Sequence, residues 1–216
     1  MDRLPLRLGR RALLAMAVAV ALPLLTARAA DAEPATAAAE TLVRDLAERA
    51  WGLLHRADFD QGQRLEQLVG LLQAKTDVSL LSRLALGRHW QRLSAEQQER
   101  YEQLFSEVVM GSLARRLDQY VSGAAGTVDE HLQFTTSQPV GKDDVLVRTR
   151  VRTQQGDVVD VDWRLRGREA PVILDLIIEG ASLLLTQRSE FATVIERSDV
   201  DGLLAELSAR AGSADS

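Results

Sequence analysis

Residues 158–195, VVDVDWRLRGREAPVILDLIIEGASLLLTQRSEFATVI, carry the pattern from which the fold is read. The first part alternates strictly. Val161, Trp163 and Leu165 point to one side, and Asp160, Asp162, Arg164 and Arg166 to the other. This is the signature of a half-buried β-strand. Residues 167–171 read as a turn, and residues 172–178 as a second strand, apolar on both faces except at Asp175. Gly180 ends that strand, and Leu184, Arg188, Phe191 and Ile195 then fall on one helical stripe. A change of period from about 2 to about 3.6 marks a sheet that hands over to a covering helix.

The same change of period, in reverse, separates the two halves of the chain. Residues 41–56 place Leu42, Leu46, Ala50, Leu53 and Leu54 on one helical face, after an alanine-rich lead-in over 30–39 expected to be loose. Residues 63–72 continue helically, and Asp77 reads as the N-cap of a helix carrying Leu80, Leu81, Leu84 and Ala85. Ser94 with Gln97 forms a capping box that opens the longest expected helix, residues 95–120. After the glycines at 123 and 126 the alternation begins. One or two strands are expected over 127–138, through Val128, Leu132 and Phe134. Another spans 143–153, where Val145, Val147, Thr149 and Val151 alternate with Arg148, Arg150 and Arg152. Gln155-Gly156-Asp157 makes the hairpin turn into the opening stretch. Asp199 caps a last helix. Helices, then about four antiparallel strands, then helices give an α+β fold in which helices cover one face of a curved sheet.

Residues 1–29 read as a secretory signal peptide rather than part of the fold. Arg3, Arg7, Arg10 and Arg11 precede an apolar run over residues 12–25, and Ala27-Arg28-Ala29 is a small-x-small cleavage site. The run is shorter than the roughly 20 residues that span a bilayer. Residues 30–210 are then a single domain, and 211–216 a frayed tail. Cleavage near Ala29 moves the net charge from −5 to about −9. That acidity argues against nucleic acid as a partner. The chain has no cysteine, which excludes disulfides, thiolate metal sites and a lipid-modified N-terminal cysteine. An exported, soluble, periplasmic protein is expected.

Chemistry-bearing constellations are few. His55, His89 and His131 have no metal-ligand spacing, and no metal or other cofactor is expected. There is no phosphate-binding glycine loop and no nucleophile elbow. Asp175 and Glu179 are the one candidate acid–base pair, four residues apart on an otherwise apolar strand. Pairing of both with arginines such as Arg148, Arg150, Arg164 or Arg188 is the simpler expectation. The Arg148, Arg150 and Arg152 row is expected to be answered by Asp160 and Asp162 across a hairpin.

Two motifs carry a family likeness. One is LALGRHWQRLSAEQQERYEQLF, residues 84–105, with its Leu-Gly-Arg-x-Trp segment before a capped helix. The other is DLIIEGASLLLTQRSEFATVI, residues 175–195, with Asp-x-x-x-Glu-Gly-x-Ser and Arg-Ser-x-Phe. Together they resemble the MlaC family of periplasmic phospholipid-binding proteins, the toluene-tolerance family, over about residues 40–207. A sister branch associated with hopanoid lipids shares both motifs. Gln187 stands where the family often has an aromatic residue, and residues 171–174 where it often has an aromatic and a basic one.

The resemblance implies an NTF2-like fold with an apolar cavity between sheet and helices. It implies a carrier, not an enzyme, that shuttles phospholipid between an outer-membrane lipoprotein complex and an inner-membrane ABC transporter with an MCE-domain subunit. The expected lipid-binding wall takes Val147, Val151, Val161, Trp163, Leu165, Leu174, Leu176 and Ile178 from the sheet. Leu84, Phe105, Val108, Leu113, Leu117, Phe191 and Ile195 complete it from the helices. A small enzyme using Asp175 and Glu179 is the competing class, and a purely structural envelope protein a third.

Overall fold

A computed structural model describes residues 22–214. The expected signal sequence lies mostly outside the described residues. Five strands form one antiparallel sheet in the order β1-β2-β3-β4-β5: β1 (Leu132–Val140), β2 (Asp144–Arg152), β3 (Val158–Arg166), β4 (Val172–Ile178) and β5 (Ala181–Ser182). The fifth strand is the addition to the expected four. It pairs Ile178 with Ala181 and Ile177 with Ser182 across a turn at Glu179-Gly180. Both turn residues have positive φ, 49° and 80°, the backbone of a type I′ hairpin turn.

The helices are α1 (Leu22–Leu54), α2 (Gln61–Ala74), α3 (Val78–Leu86), α4 (Ala95–Phe105), α5 (Gly111–Val121), α6 (Val128–His131) and α7 (Leu183–Ala214). A 3₁₀ segment, Gly87–Arg92, follows α3. Three caps stand where the side chains allow them. Asp77 accepts from Leu80 N at 2.9 Å, Ser94 and Gln97 form their capping box, and Asp60 with Gln63 forms another. The last of these was not anticipated.

Several boundaries differ from the sequence reading. The alanine-rich lead-in is helical: α1 runs through it, with Ala35 and Ala39 buried. Alanine is the best helix former, and its small side chain lets the helix lie close to its neighbours. Val128 belongs to a helical turn, not a strand, because Thr127 and Glu130 cap it. Residues 95–121 form one helical run broken by a π turn, Ser106–Met110. Tyr120, near the end of this run, is exposed. The C-terminal helices follow one another across Ser198 and Asp199, where Asp199 accepts from Gly202 N at 3.1 Å. Helix α7 reaches Ala214, and Ala211 is buried, although the sequence suggests a loose end there.

The sheet has an apolar and a charged face. Register places Val145, Leu165 and Ile173 in one row and Val147, Trp163 and Leu176 in the next, all buried toward the helices. On the other face Arg148 pairs with Asp162 at 3.4 Å and Arg150 with Asp160 at 3.2 Å, as expected from the alternation, whereas Arg152 stands opposite Val158 and has no acidic partner among the described residues. Arg164 and Arg166 both bind the buried Asp144, at 2.6 and 2.7 Å. Burial alone raises the Asp144 carboxyl, but the two guanidinium groups outweigh it and hold the group below its ordinary value. Register shifts between Phe134 and Thr136 and between Arg164 and Leu165 bend the sheet. Helices α1, α2 and α5 fill the concave side with α7, whose first half packs on α3, α4 and β4.

Candidate functional site

Two apolar cavities lie between the concave face and the helices. The first, of about 140 Å³, is enclosed by β4, the end of α2, the π turn, α5 and the start of α7. Its walls include Leu72, Leu81, Phe105, Val108, Val109, Met110, Leu113, Ile173, Leu176, Leu183 and Leu184. The second, of about 90 Å³, lies under α1 and the other end of the sheet. Its walls include Leu46, Ala50, Trp51, Leu54, Leu68, Leu71, Leu72, Leu113, Leu117, Val151, Trp163 and Leu176. Leu72, Leu113 and Leu176 belong to both, so these three side chains form the partition between them. A wider concavity, about 1790 Å³, is an open groove between α1, α2 and the α4–α5 run. Its rim carries Arg49, Arg56, Glu66, Glu107 and Arg115, which makes it a wet surface rather than an apolar slot.

The expected wall is brought together in part. Phe105, Val108 and Leu113 line the first cavity, and Leu113, Leu117, Val151 and Trp163 the second, with Leu176 in both. Val147 and Leu165 are fully buried in the close-packed core instead. Phe191 and Ile195 pack in a separate cluster in which Phe191 meets Tyr101 and Phe105, at 6.1 and 6.3 Å between ring centres. Burial drives the Tyr101 phenol far up, and its hydroxyl donates to Ser82 O at 3.0 Å. Leu84, Val161 and Ile178 are half-buried and border neither cavity.

Leu174 is displaced by the bulge. Arg164 faces Asp175 and Leu165 faces Ile173, which leaves Leu174 without an opposite residue. The inner face of β4 therefore runs Ile173, Leu176, not Leu174, Leu176, and Ile173 takes the place at the first cavity. A strand apolar on both faces hides this one-residue change of phase. The walls contributed by α1 and α2 were missed as well, although the Leu46–Ala50–Leu54 and Leu65–Leu68–Leu72 stripes were legible.

Asp175 and Glu179 are not a pair. Asp175 accepts hydrogen bonds from Ser182 Oγ and from Leu184 N, the latter at 3.0 Å, and so caps α7. Ser182 Oγ in turn accepts from Leu185 N. Glu179 accepts from Asp160 N on the opposite, charged side of the sheet. Among the described residues neither carboxylate is ion-paired to the arginines expected of it; Arg164 is held by Asp144.

Two of the three histidines hold backbone. The His55 nitrogens lie 2.9 and 2.7 Å from Trp51 O and Ala124 O, and those of His131 lie 2.7 and 2.9 Å from Arg152 O and Ala125 O. Both rings pack on Trp51, which walls the second cavity. His89 is buried with Nδ1 unpartnered; burial, then Arg88 and Arg92, lower its pKa. Among the described residues no three His, Asp or Glu side chains gather into a metal-binding group.

Both sequence motifs converge on this architecture. The Arg188 guanidinium lies where a side chain on Gly87 would go, 3.0 Å from the position of its Cβ, and Gly87 has φ 58°. The MlaC protein family model matches residues 45–209. Among solved structures, the chain is similar to the phospholipid-binding protein from Ralstonia solanacearum, determined in complex with a phospholipid. The two share 24% identity over 84% of this chain and 99% of that one, with a TM-score of 0.67. With the family model covering most of its length and the same fold in that neighbour, this chain belongs to the MlaC family.

Proposed function

We propose that the protein is a periplasmic carrier that holds phospholipid acyl chains in the apolar space between sheet and helices. It moves them between an outer-membrane lipoprotein complex and an inner-membrane ABC transporter with an MCE-domain subunit, and so maintains lipid asymmetry. The observation that carries this reading is the pair of adjoining cavities with aliphatic walls, in a fold whose solved neighbour holds a phospholipid. Cleavage of the signal sequence near Ala29 leaves the buried part of α1, from Ala35 onward, in the mature chain.

The energetics suit a carrier. Each methylene leaving water gains roughly 0.8 kcal/mol, so two acyl chains resist crossing water by on the order of 20 kcal/mol. The walls are mostly Leu and Val, which accept chains of any length because they make no directional demand. A cavity of about 150 Å³ holds a benzene-sized guest, so each compartment here matches a short length of alkyl chain. Loading therefore widens both, and Leu72, Leu113 and Leu176 are the side chains that move. Coupling release to such a movement lets a membrane partner govern it.

Organic extraction of the purified mature protein, followed by mass spectrometry, tests the proposal. Stoichiometric phospholipid is expected, and a hopanoid instead would assign the protein to the sister branch. Leu113→Trp fills space on both sides of the partition and is expected to remove bound lipid. The overpacking costs about 1–3 kcal/mol, so the fold survives. A folded Leu113→Trp protein with undiminished lipid, or a wild-type protein that never carries an amphiphile, would show the reading to be wrong.

A further inference from the structure

We propose that Arg116 gives the first cavity a head-group subsite, so that the cavity selects amphiphiles bearing an anionic phosphate over uncharged ones with the same tails. The inference rests on the carrier reading and goes beyond it by naming the feature that the site recognises.

Three charged side chains, two positive and one negative, border this mostly apolar cavity: Arg116, Arg210 and Asp175. Two are already engaged. The Asp175 carboxylate is bound by Ser182 Oγ and Leu184 N, and Arg210 is paired with Glu206. Asp175 also occupies the N-terminus of α7, the other positive element at this cavity, which is thereby closed to an anion from a ligand. Arg116 has neither a hydrogen bond nor an ion pair among the described residues.

Its placement follows from helix geometry. Arg116 lies one turn after Ser112 and Leu113 on α5, and residues three and four apart share a face. The stem can thus run along the cavity wall while the exposed guanidinium stays at the rim. Ser112 and Gln187 stand at the same cavity and add neutral hydrogen-bonding groups. A dry compartment with an unspent guanidinium at its edge is complementary to an alkyl chain that ends in a phosphodiester. Guanidinium binds phosphate oxygens through paired N–H donors, which an uncharged glycerol hydroxyl cannot match.

The test uses the mature protein stripped of lipid and offered dioleoylphosphatidylglycerol or dioleoylglycerol from mixed micelles, with bound lipid counted by mass spectrometry. Wild-type protein is expected to prefer the phospholipid by about tenfold, the effect of one charge-assisted contact. Arg116→Gln should bring that ratio close to one without lowering dioleoylglycerol uptake, and Arg116→Lys, which keeps the charge but not the paired donors, should retain only part of the preference. The proposal is overturned if wild-type protein takes both lipids equally, or if Arg116→Gln still prefers the phospholipid. Failure of both lipids to load overturns the carrier reading, and this inference with it. Inorganic phosphate alone should leave the melting temperature of the stripped protein unchanged. An Arg116-dependent rise would mean a site for free phosphate and would also overturn the proposal.

Discussion

At the scale of single residues, the two motifs are explained by contacts between them. Asp175 caps α7, Glu179 and Gly180 make the positive-φ turn, and Ser182 bridges the Asp175 carboxylate to Leu185 N. Gly87 leaves room for the Arg188 guanidinium. A Cβ at Gly87 would meet both the left-handed backbone penalty and that side chain. Gly87→Ala is therefore expected to cost about 1–3 kcal/mol in chemical denaturation. Arg188→Ala in the same background should restore the steric part, leaving the backbone part. Strictly additive losses in the double-mutant cycle would refute the contact. The residue types were legible in the sequence, but their partners were not: Gly87 and Arg188 are far apart along the chain and are joined only by the packing of α3 on α7.

At the scale of elements, the two irregularities shape the site. The bulge opposite Arg164 and Leu165 rotates the phase of β4, and the π turn at Ser106–Met110 does the same for the helical run. Successive residues of an α-helix point about 100° apart, yet Val108 and Val109 both border the first cavity. Deleting Val109 should convert the π turn to regular helix while keeping α4 and α5 in phase. Unchanged far-UV circular dichroism with reduced lipid content is the expected result; undiminished lipid would separate the π turn from the cavity. Neither irregularity announces itself in sequence. A strand that is apolar on both faces reads the same in either phase, and VVM fits α and π geometry equally.

At the scale of the whole molecule, the structure leaves part of its interior unfilled. Voids cost stability because lining atoms forgo contacts, so a guest that fills them should stabilise the fold by mass action. The lipid-loaded protein is expected to melt several degrees above the stripped protein; a gain of about 2.7 kcal/mol corresponds to ligand at one hundred times its Kd. Equal melting temperatures for loaded and stripped samples would contradict a guest inside the core. On the charged outer face of the sheet, by contrast, Arg148, Arg150, Arg164 and Arg166 are matched by Asp144, Asp160 and Asp162.

Short-range patterns were enough to assign the α+β class, the β2–β3 hairpin with its Arg148–Asp162 and Arg150–Asp160 pairs, and the caps at Asp77, Ser94 and Asp199, while two short motifs carried the resemblance to the family. Each of these depends on residues within a few positions of one another, where side-chain direction follows from backbone geometry. The cavity walls, their division by Leu72, Leu113 and Leu176, and the exchange of Leu174 for Ile173 depend on how distant elements meet. A void is the space that side chains from several elements fail to fill, and no local pattern encodes it.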